Sequence, residues 1–276
     1  MQHRGQEATG ISSSNGEHIF TIKDRGLVSQ VYKNDKLTKL AGNMSIGHNR
    51  YSTAGDDSIL DTQPIFARYD LGELSIVHNG NLTNAKKIKN ALTNEGAIFQ
   101  SNMDTENLIH LIAKSTKKNL QERILDALVQ IEGAYCLIFL SRKKMFVARD
   151  PHGFRPLSIA RLNDGYVVAS ETCAFSLIGA NYLRDVEPGE LLVFDEQGMS
   201  SINFAQKTPK QCIFEHVYFA RPDSFLFGQS SYNVRKKMGA SLARNDRIQA
   251  DMVVPVPDLS PKREVSCTVG QRKPKS

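Results

Sequence analysis

The chain has 276 residues, 40% of them apolar, enough to bury one large core or two smaller ones. It has no apolar run long enough to span a bilayer and no signal-peptide pattern at its start, so membrane, collagen-like and wholly disordered readings are excluded. The net charge is +6, but residues 259–276 hold Lys262, Arg263, Arg272, Lys273 and Lys275 against Glu264, whereas residues 1–258 carry 30 basic and 28 acidic side chains. The body is therefore near neutral and needs no polyanionic partner.

Residues 1–11 read as an ordered segment from the first word. Residues 45–48 and 74–78 predict strands. Residues 84–95, 104–114 and 120–130 predict helices, the second with Asp104 as N-cap and Leu108, Ile109, Leu111 and Ile112 on its inner face. Strands follow at 134–140 and 144–148. A hairpin joins 157–161 to 166–170 through Asn163-Asp164-Gly165, and another strand covers 190–194. Strands in adjacent pairs and helices in a block point to an α+β layered fold with antiparallel sheets.

A polar link containing Pro209 marks a boundary at 206–211. Beyond it, 212–220 reads as extended, 231–244 as a helix with Val234, Met238 and Leu242 on one face, and 251–256 as a buried strand of a second α/β domain. The tail 259–276 has no hydrophobic period and reads as disordered. It also lacks aromatics for base stacking, so its charge reads as a solvated cluster rather than a nucleic-acid site. The cysteines, Cys136, Cys173, Cys212 and Cys267, are widely spaced without a CxxC pair, as expected for free thiols in a reducing, cytoplasmic setting.

Four segments could carry chemistry. In 47–55, Arg50 ends a strand before a small-residue loop and offers a planar fork for a carboxylate. In 78–84, Asn79-Gly80 is first a turn signal; its functional reading is an oxyanion hole made of the Asn79 amide and the Gly80 N–H. In 101–106, Asp104 caps a helix and has a free oxygen for an ammonium group. The charged segment 149–157 reads as a salt-bridged tight turn. A cation for a carboxylate, an anion for an ammonium group and an oxyanion turn together suit the amide of an α-amino acid such as glutamine. No nucleophile accompanies them: Cys136 lies in an apolar run and Cys173 reads as packing.

These words resemble the amidophosphoribosyltransferase (glutamine phosphoribosylpyrophosphate amidotransferase) family. The matches are QHRGQE at 2–7, GHNRYSTAG at 47–55, HNGNLTN at 78–84, DTE at 104–106, RDPHGFRPL at 149–157, ASETCA at 169–174 and EPGE at 187–190. CIFEHVYFARPDS at 212–224, YNVRKKMGASLA at 232–243 and ADMVVPVPD at 250–258 follow in order. The resemblance implies a four-layer αββα N-terminal nucleophile hydrolase domain at 1–206 lacking its first strand. The start of a type I phosphoribosyltransferase domain follows at 212–258, and then a divergent tail at 259–276.

It further implies glutamine hydrolysis, with the ammonia joined to phosphoribosyl pyrophosphate in purine biosynthesis. Arg50 and Asp104 would bind glutamine, Thr53 would line the pocket, and Asn79 and Gly80 would form the oxyanion hole. The family nucleophile is an N-terminal cysteine ahead of the word at 2–7, and no residue of this sequence matches it. The expectation is an impaired fragment truncated at both ends; the alternative is a non-catalytic glutamine-binding or regulatory module. Cys212 matches an iron–sulfur ligand position of some members, but a cluster is not expected here. The family's transferase domain uses magnesium, its site expected beyond Asp258. A homo-oligomer is expected of the complete protein, with no nucleic acid or membrane partner.

Overall fold

The computed structural model describes residues 1–51 and 58–245. Its elements in chain order are β1 (Ala8–Ser14), β2 (Ile19–Arg25), α1 (Val28–Val31), β3 (Met44–Arg50), β4 (Ile65–Tyr69), β5 (Gly72–Leu82), α2 (Ala85–Asn94), α3 (Glu106–Lys114), α4 (Leu120–Leu128), β6 (Gly133–Ser141) and β7 (Met145–Arg149). They continue with β8 (Ser158–Leu162), β9 (Gly165–Ala169), α5 (Cys173–Ile178), β10 (Asn181–Asp185), β11 (Glu190–Asp195), β12 (Gly198–Asn203), β13 (Phe225–Leu226), β14 (Gln229–Ser230) and α6 (Ser231–Asn245). Thr53, the strand expected at 251–256 and the tail lie outside the described residues.

The chain divides into two compact units. The first comprises residues 1–155 and 186–211; the second comprises 156–185 and the described residues from 212 onward. The break after Gln211 falls at the link legible in the sequence. Residues 156–185, placed with the first domain from sequence, cluster with the second unit. The reason is their hydrogen bonding: they build their own sheet, β10-β8-β9, in which the hairpin turn puts Asn163 at φ 50°.

The first unit is layered as the strand and helix pattern predicts. Its middle layer is the six-stranded sheet β12-β11-β7-β6-β5-β4, antiparallel at every pairing. Helices α2, α3 and α4 cover one face, where Leu108, Ile112, Ile124 and Leu128 pack on Leu74, Ile76, Leu137 and Phe139. The other face meets the second sheet, β2-β1-β3, through Ile19, Ile46, Val77 and Leu140. Alternate residues of β5 and β6 thus enter different cores. This is why 134–140 is a continuous apolar run rather than an alternating one.

Strand β1, Ala-Thr-Gly-Ile-Ser-Ser-Ser, has no hydrophobic alternation, and the sequence reading assigns it no strand. It is nonetheless the central strand of its sheet. Burial is compatible with its serines because their hydroxyls are paired: Ser12 Oγ lies 2.8 Å from Thr21 Oγ1 and 2.7 Å from Ser75 Oγ, and Ser14 Oγ donates to Arg142 O at 2.6 Å. The short helix α1 packs on β1 and β2 and buries Val31, forming the outer layer on that side.

Three local expectations are corrected. Asn79-Gly80 is not a turn: β5 runs through it to Leu82, because every residue from Leu74 to Leu82 finds a partner on β6. Asp104 is not the N-cap of α3: Thr105 occupies that position, and the Asp104 carboxylate reaches back to β5 instead. The segment 212–220 is not extended: Glu215–Phe219 is a wide helical turn whose carbonyls Arg235 collects, donating to His216 O at 2.6 Å and Ala220 O at 2.7 Å.

Candidate functional site

Arg50 lies on β3 and Asn79 and Gly80 on β5, strands of the two sheets of the first unit, and Asp104 bonds to β5. Arg50 ends β3 opposite Ala8, and its carbonyl accepts the Glu7 N–H at 3.2 Å. Gly5 rests on this backbone: a Cβ there would lie 2.6 Å from the Arg50 carbonyl carbon. The first word of the chain therefore packs over the end of the strand that presents Arg50.

Asn79 pairs with Cys136 and Gly80 with Tyr135. Gly80 has φ 158°, and a Cβ on it would come within 2.0 Å of Ala134 O. Glycine is required there by close approach of β6. Asn79 is half-buried and Gly80 is exposed, so both border solvent at the end of an otherwise buried strand.

Asp104 is tied to that strand twice. Its Oδ2 accepts the Leu82 N–H at 2.9 Å, and its Oδ1 lies 3.2 Å from His78 Nδ1. Burial pushes the Asp104 carboxyl up, but the hydrogen bond and charge of His78, the Leu82 N–H and the Thr105 hydroxyl outweigh it, and the net direction is down. Asp104 is thus held as an anion, with 18% of its side chain still exposed.

Two histidines lie on the same strands as Arg50 and Asn79. His78 is buried on β5, its Nδ1 shared between Asp104 and Thr105 Oγ1, each at 3.2 Å. His48, on β3, has a buried Nδ1 without a hydrogen-bond partner. Burial pushes its pKa down to about 4; His78 and Arg50 add repulsion, while the His78 carbonyl works the other way. His48 thus feels the charge of His78 on β5 and of Arg50 on its own strand, while of the two histidines only His78 bonds to Asp104. The sequence reading named Arg50, Asn79, Gly80 and Asp104, but gave neither histidine a role, although both stand inside the words it singled out.

A polar segment between β3 and β4 was also missed. Asp61, Thr62 and Gln63 are all buried. Asp61 Oδ1 accepts the Asn102 N–H at 2.9 Å, and Lys23 Nζ donates to Thr62 O at 2.6 Å. Three successive polar residues just before Pro64 and a strand carry no motif signal; their burial is a tertiary fact.

Segment 149–157 is a tight turn, as expected, but backbone bonds knit it. Arg149 donates to Arg155 O (2.9 Å), Val186 O (2.5 Å) and Gly153 O (3.1 Å), while Asp150 accepts N–H groups from Tyr135, His152 and Phe154. Burial pushes the Asp150 carboxyl up. In the second unit Cys173 is buried, as expected, with Sγ 3.6 Å from Glu171 Oε2. Cys212 is half-buried, and among the described residues no cluster of three candidate metal ligands includes it.

Comparison with known proteins bears on the fold and on what the chain resembles. A glutamine amidotransferase domain model matches residues 48–176, from His48 past Asp104. The chain is 44% identical over 272 residues to the amidophosphoribosyltransferase of Bacillus subtilis, covering 98% of this chain and 56% of that protein. It is 46% identical over 261 residues to the chloroplastic amidophosphoribosyltransferase 1 of Arabidopsis thaliana, covering 94% and 46% respectively. The structure of the B. subtilis glutamine PRPP amidotransferase, complexed with ADP and GMP, superposes with a TM-score of 0.92 at 42% identity, over 98% of this chain and 59% of that one. The chain spans about half the length of the curated relatives it matches. Among the described residues no helix is long and apolar enough to cross a membrane. The fold is thus an α+β layered sandwich of the glutamine amidotransferase type, shared with the B. subtilis PRPP amidotransferase structure, and over the part it spans the chain is similar to amidophosphoribosyltransferases.

Proposed function

We propose that this chain is the glutamine-handling part of an amidophosphoribosyltransferase. Glutamine would be held at both ends of its α-amino-acid group, by Arg50 at the carboxylate and Asp104 at the ammonium. Its side-chain amide would point to Asn79 and Gly80. Attack on that amide by the family's N-terminal cysteine thiol, for which this sequence has no matching residue, would place negative charge on the amide oxygen, and the Asn79 amide together with the Gly80 N–H would receive it as an oxyanion hole. Ammonia released there is the nucleophile for phosphoribosyl pyrophosphate, giving 5-phosphoribosylamine, a reaction of purine biosynthesis. Thr53 is assigned to the pocket wall on the motif match. The transferase chemistry and its magnesium are ascribed to the family's second domain, with no ligand assigned in this chain. The complete protein is read as a homo-oligomer.

The observation that carries this reading is the pairing of Asp104 with β5. An anion stabilised by His78 and the Leu82 N–H stands beside the strand end that bears Asn79 and Gly80. Arg50 is assigned to the same pocket on the motif match.

Calorimetric titration with glutamine, paired with an ammonia-release assay, tests it. Binding that Arg50→Ala abolishes, with no ammonia release, is the expected result, because no residue of this sequence matches the family's nucleophilic cysteine. Measurable ammonia release would overturn the impaired-fragment expectation. No heat at millimolar glutamine overturns the reading.

A further inference from the structure

Antiparallel pairing of β4 with β5 begins at Ile65 opposite Ile76. Carried on in the same register, this ladder would place Pro64 opposite Val77 and Gln63 opposite His78. Proline has no N–H to donate, so the backbone ladder fails at that point. The Gln63 side chain replaces it. The His78 N–H donates to Gln63 Oε1 at 2.6 Å, and Gln63 Nε2 donates to His78 O at 3.1 Å. One side-chain amide thus satisfies both backbone groups of His78, as a strand residue would, and Gln63 is only 3% exposed.

The Gln63 backbone is anchored elsewhere. A Cβ on Gly10 of β1 would meet Gln63 O at 2.3 Å and Pro64 Cδ at 2.7 Å, so only glycine on β1 leaves room for the segment. Lys23 of β2 donates to Thr62 O and, at 3.3 Å, to Pro64 O. Asp61 holds the Asn102 N–H, two residues before Asp104. Residues 61–64 therefore join both sheets and the loop that carries Asp104.

We propose that Gln63 is a positioning residue for the glutamine site. Through the His78 backbone it fixes the strand end that presents Asn79 and Gly80. Through the direction of the His78 ring it fixes the Asp104 carboxylate. The inference rests on the glutamine reading given above. Gln63 touches neither end of the amino acid itself; it works by keeping the oxyanion donors and the ammonium-binding anion in one register.

The test compares Gln63→Met, of similar length but without either hydrogen bond, with Gln63→Glu. The Glu variant keeps the acceptor for the His78 N–H and regains a donor when protonated. Glutamine affinity is measured on the full chain against the parent protein at each pH. Lys23, Asp61, His78, His48 and Asp104 face this region from β2, the 61–64 segment, β5, β3 and the loop before α3, and all three proteins carry them. The expected result is a loss of about 10- to 100-fold for Gln63→Met at neutral pH, the range for two buried hydrogen bonds. The Gln63→Glu variant recovers towards the parent as pH falls. The amide resonances of His78 and Gly80 should shift in Gln63→Met while cooperative melting is retained. Unchanged affinity in Gln63→Met, or lost affinity with unmoved His78 and Gly80 resonances, overturns the inference and leaves the glutamine reading standing. A parent chain that binds no glutamine overturns the glutamine reading and, with it, the site that Gln63 is argued to serve.

Discussion

His78 and Asp104 meet at 3.2 Å, and Asp104 turns its other oxygen to the N–H of Leu82, four residues further along the same strand. A carboxylate from the loop before α3 thereby closes over the last turn of side chains on β5. The same contact holds Asp104 in its charged form and fixes where that charge stands.

The first prediction concerns this carboxylate. Its pKa is lowered on folding, so its contribution to stability is present above the ordinary aspartate range and is lost as pH falls through it. Asp104→Asn removes the charge and should cost about 1–3 kcal/mol near neutral pH. Urea unfolding checks this: the gap between variant and parent should close below pH ~4, the ordinary aspartate value. The same variant should weaken glutamine binding by more than about tenfold through loss of the ammonium partner.

His48 contributes in the same direction, at higher pH. Its pKa falls to about 4 in the folded protein from an ordinary value of 6.5. Between those values the unfolded chain takes up a proton that the folded chain refuses, so stability declines as pH falls, by on the order of 3 kcal/mol for the whole window. His48→Asn should flatten this part of the profile. Denaturation midpoints at about pH 7 and pH 5 provide the measurement, with equal slopes for variant and parent counting against the assignment.

Gly80→Ala tests the close approach of β6. An added methyl carbon 2.0 Å from Ala134 O cannot be accommodated without parting β5 from β6. A loss of about 2–4 kcal/mol is expected, with faster amide exchange at Tyr135, the residue paired with Gly80. Gly165, which has no positive φ and where a Cβ would meet only Leu162 O at 3.6 Å, is the control position.

Arg149→Met tests whether the turn at 149–157 is structural. The guanidinium is buried and donates to the carbonyls of Arg155, Val186 and Gly153. Methionine fills much of the volume but leaves those acceptors unpaired, which should cost about 3–5 kcal/mol. Glutamine affinity, measured well below the melting transition, should stay within about twofold of the parent; a larger change would give the turn a part in binding.

Much of this was legible from residue order. Strands 74–78, 134–140, 144–148 and 190–194 announce themselves because both faces of the middle sheet are buried, which leaves apolar runs. Helices α2, α3 and α4 carry a stripe on one face because they cover one side of that sheet. Arg50, Asn79, Gly80 and Asp104 could be named because their residue types match the two charges and the polar amide of one amino acid. Their pairing into a single pocket remains the proposed reading. Strand β1 was illegible because its burial depends on Ser12 meeting Thr21 and Ser75, partners 9 and 63 residues away.

The sequence by itself determined the layered α+β class, the charge imbalance of the tail and the resemblance to amidophosphoribosyltransferases. These follow from composition, from local periodicity and from words of fixed order, none of which depends on where the chain turns in space. Only the tertiary structure decided that Asn79-Gly80 is strand rather than turn, that Asp104 serves β5 instead of capping α3, and that Gln63 stands in for a missing ladder residue at His78. Each of these depends on a partner distant in the chain: Ala134 O for Gly80, Leu82 and His78 for Asp104, and the His78 backbone for Gln63. Local propensity sets what a residue prefers in isolation; a buried hydrogen bond from across the fold is strong enough to override it.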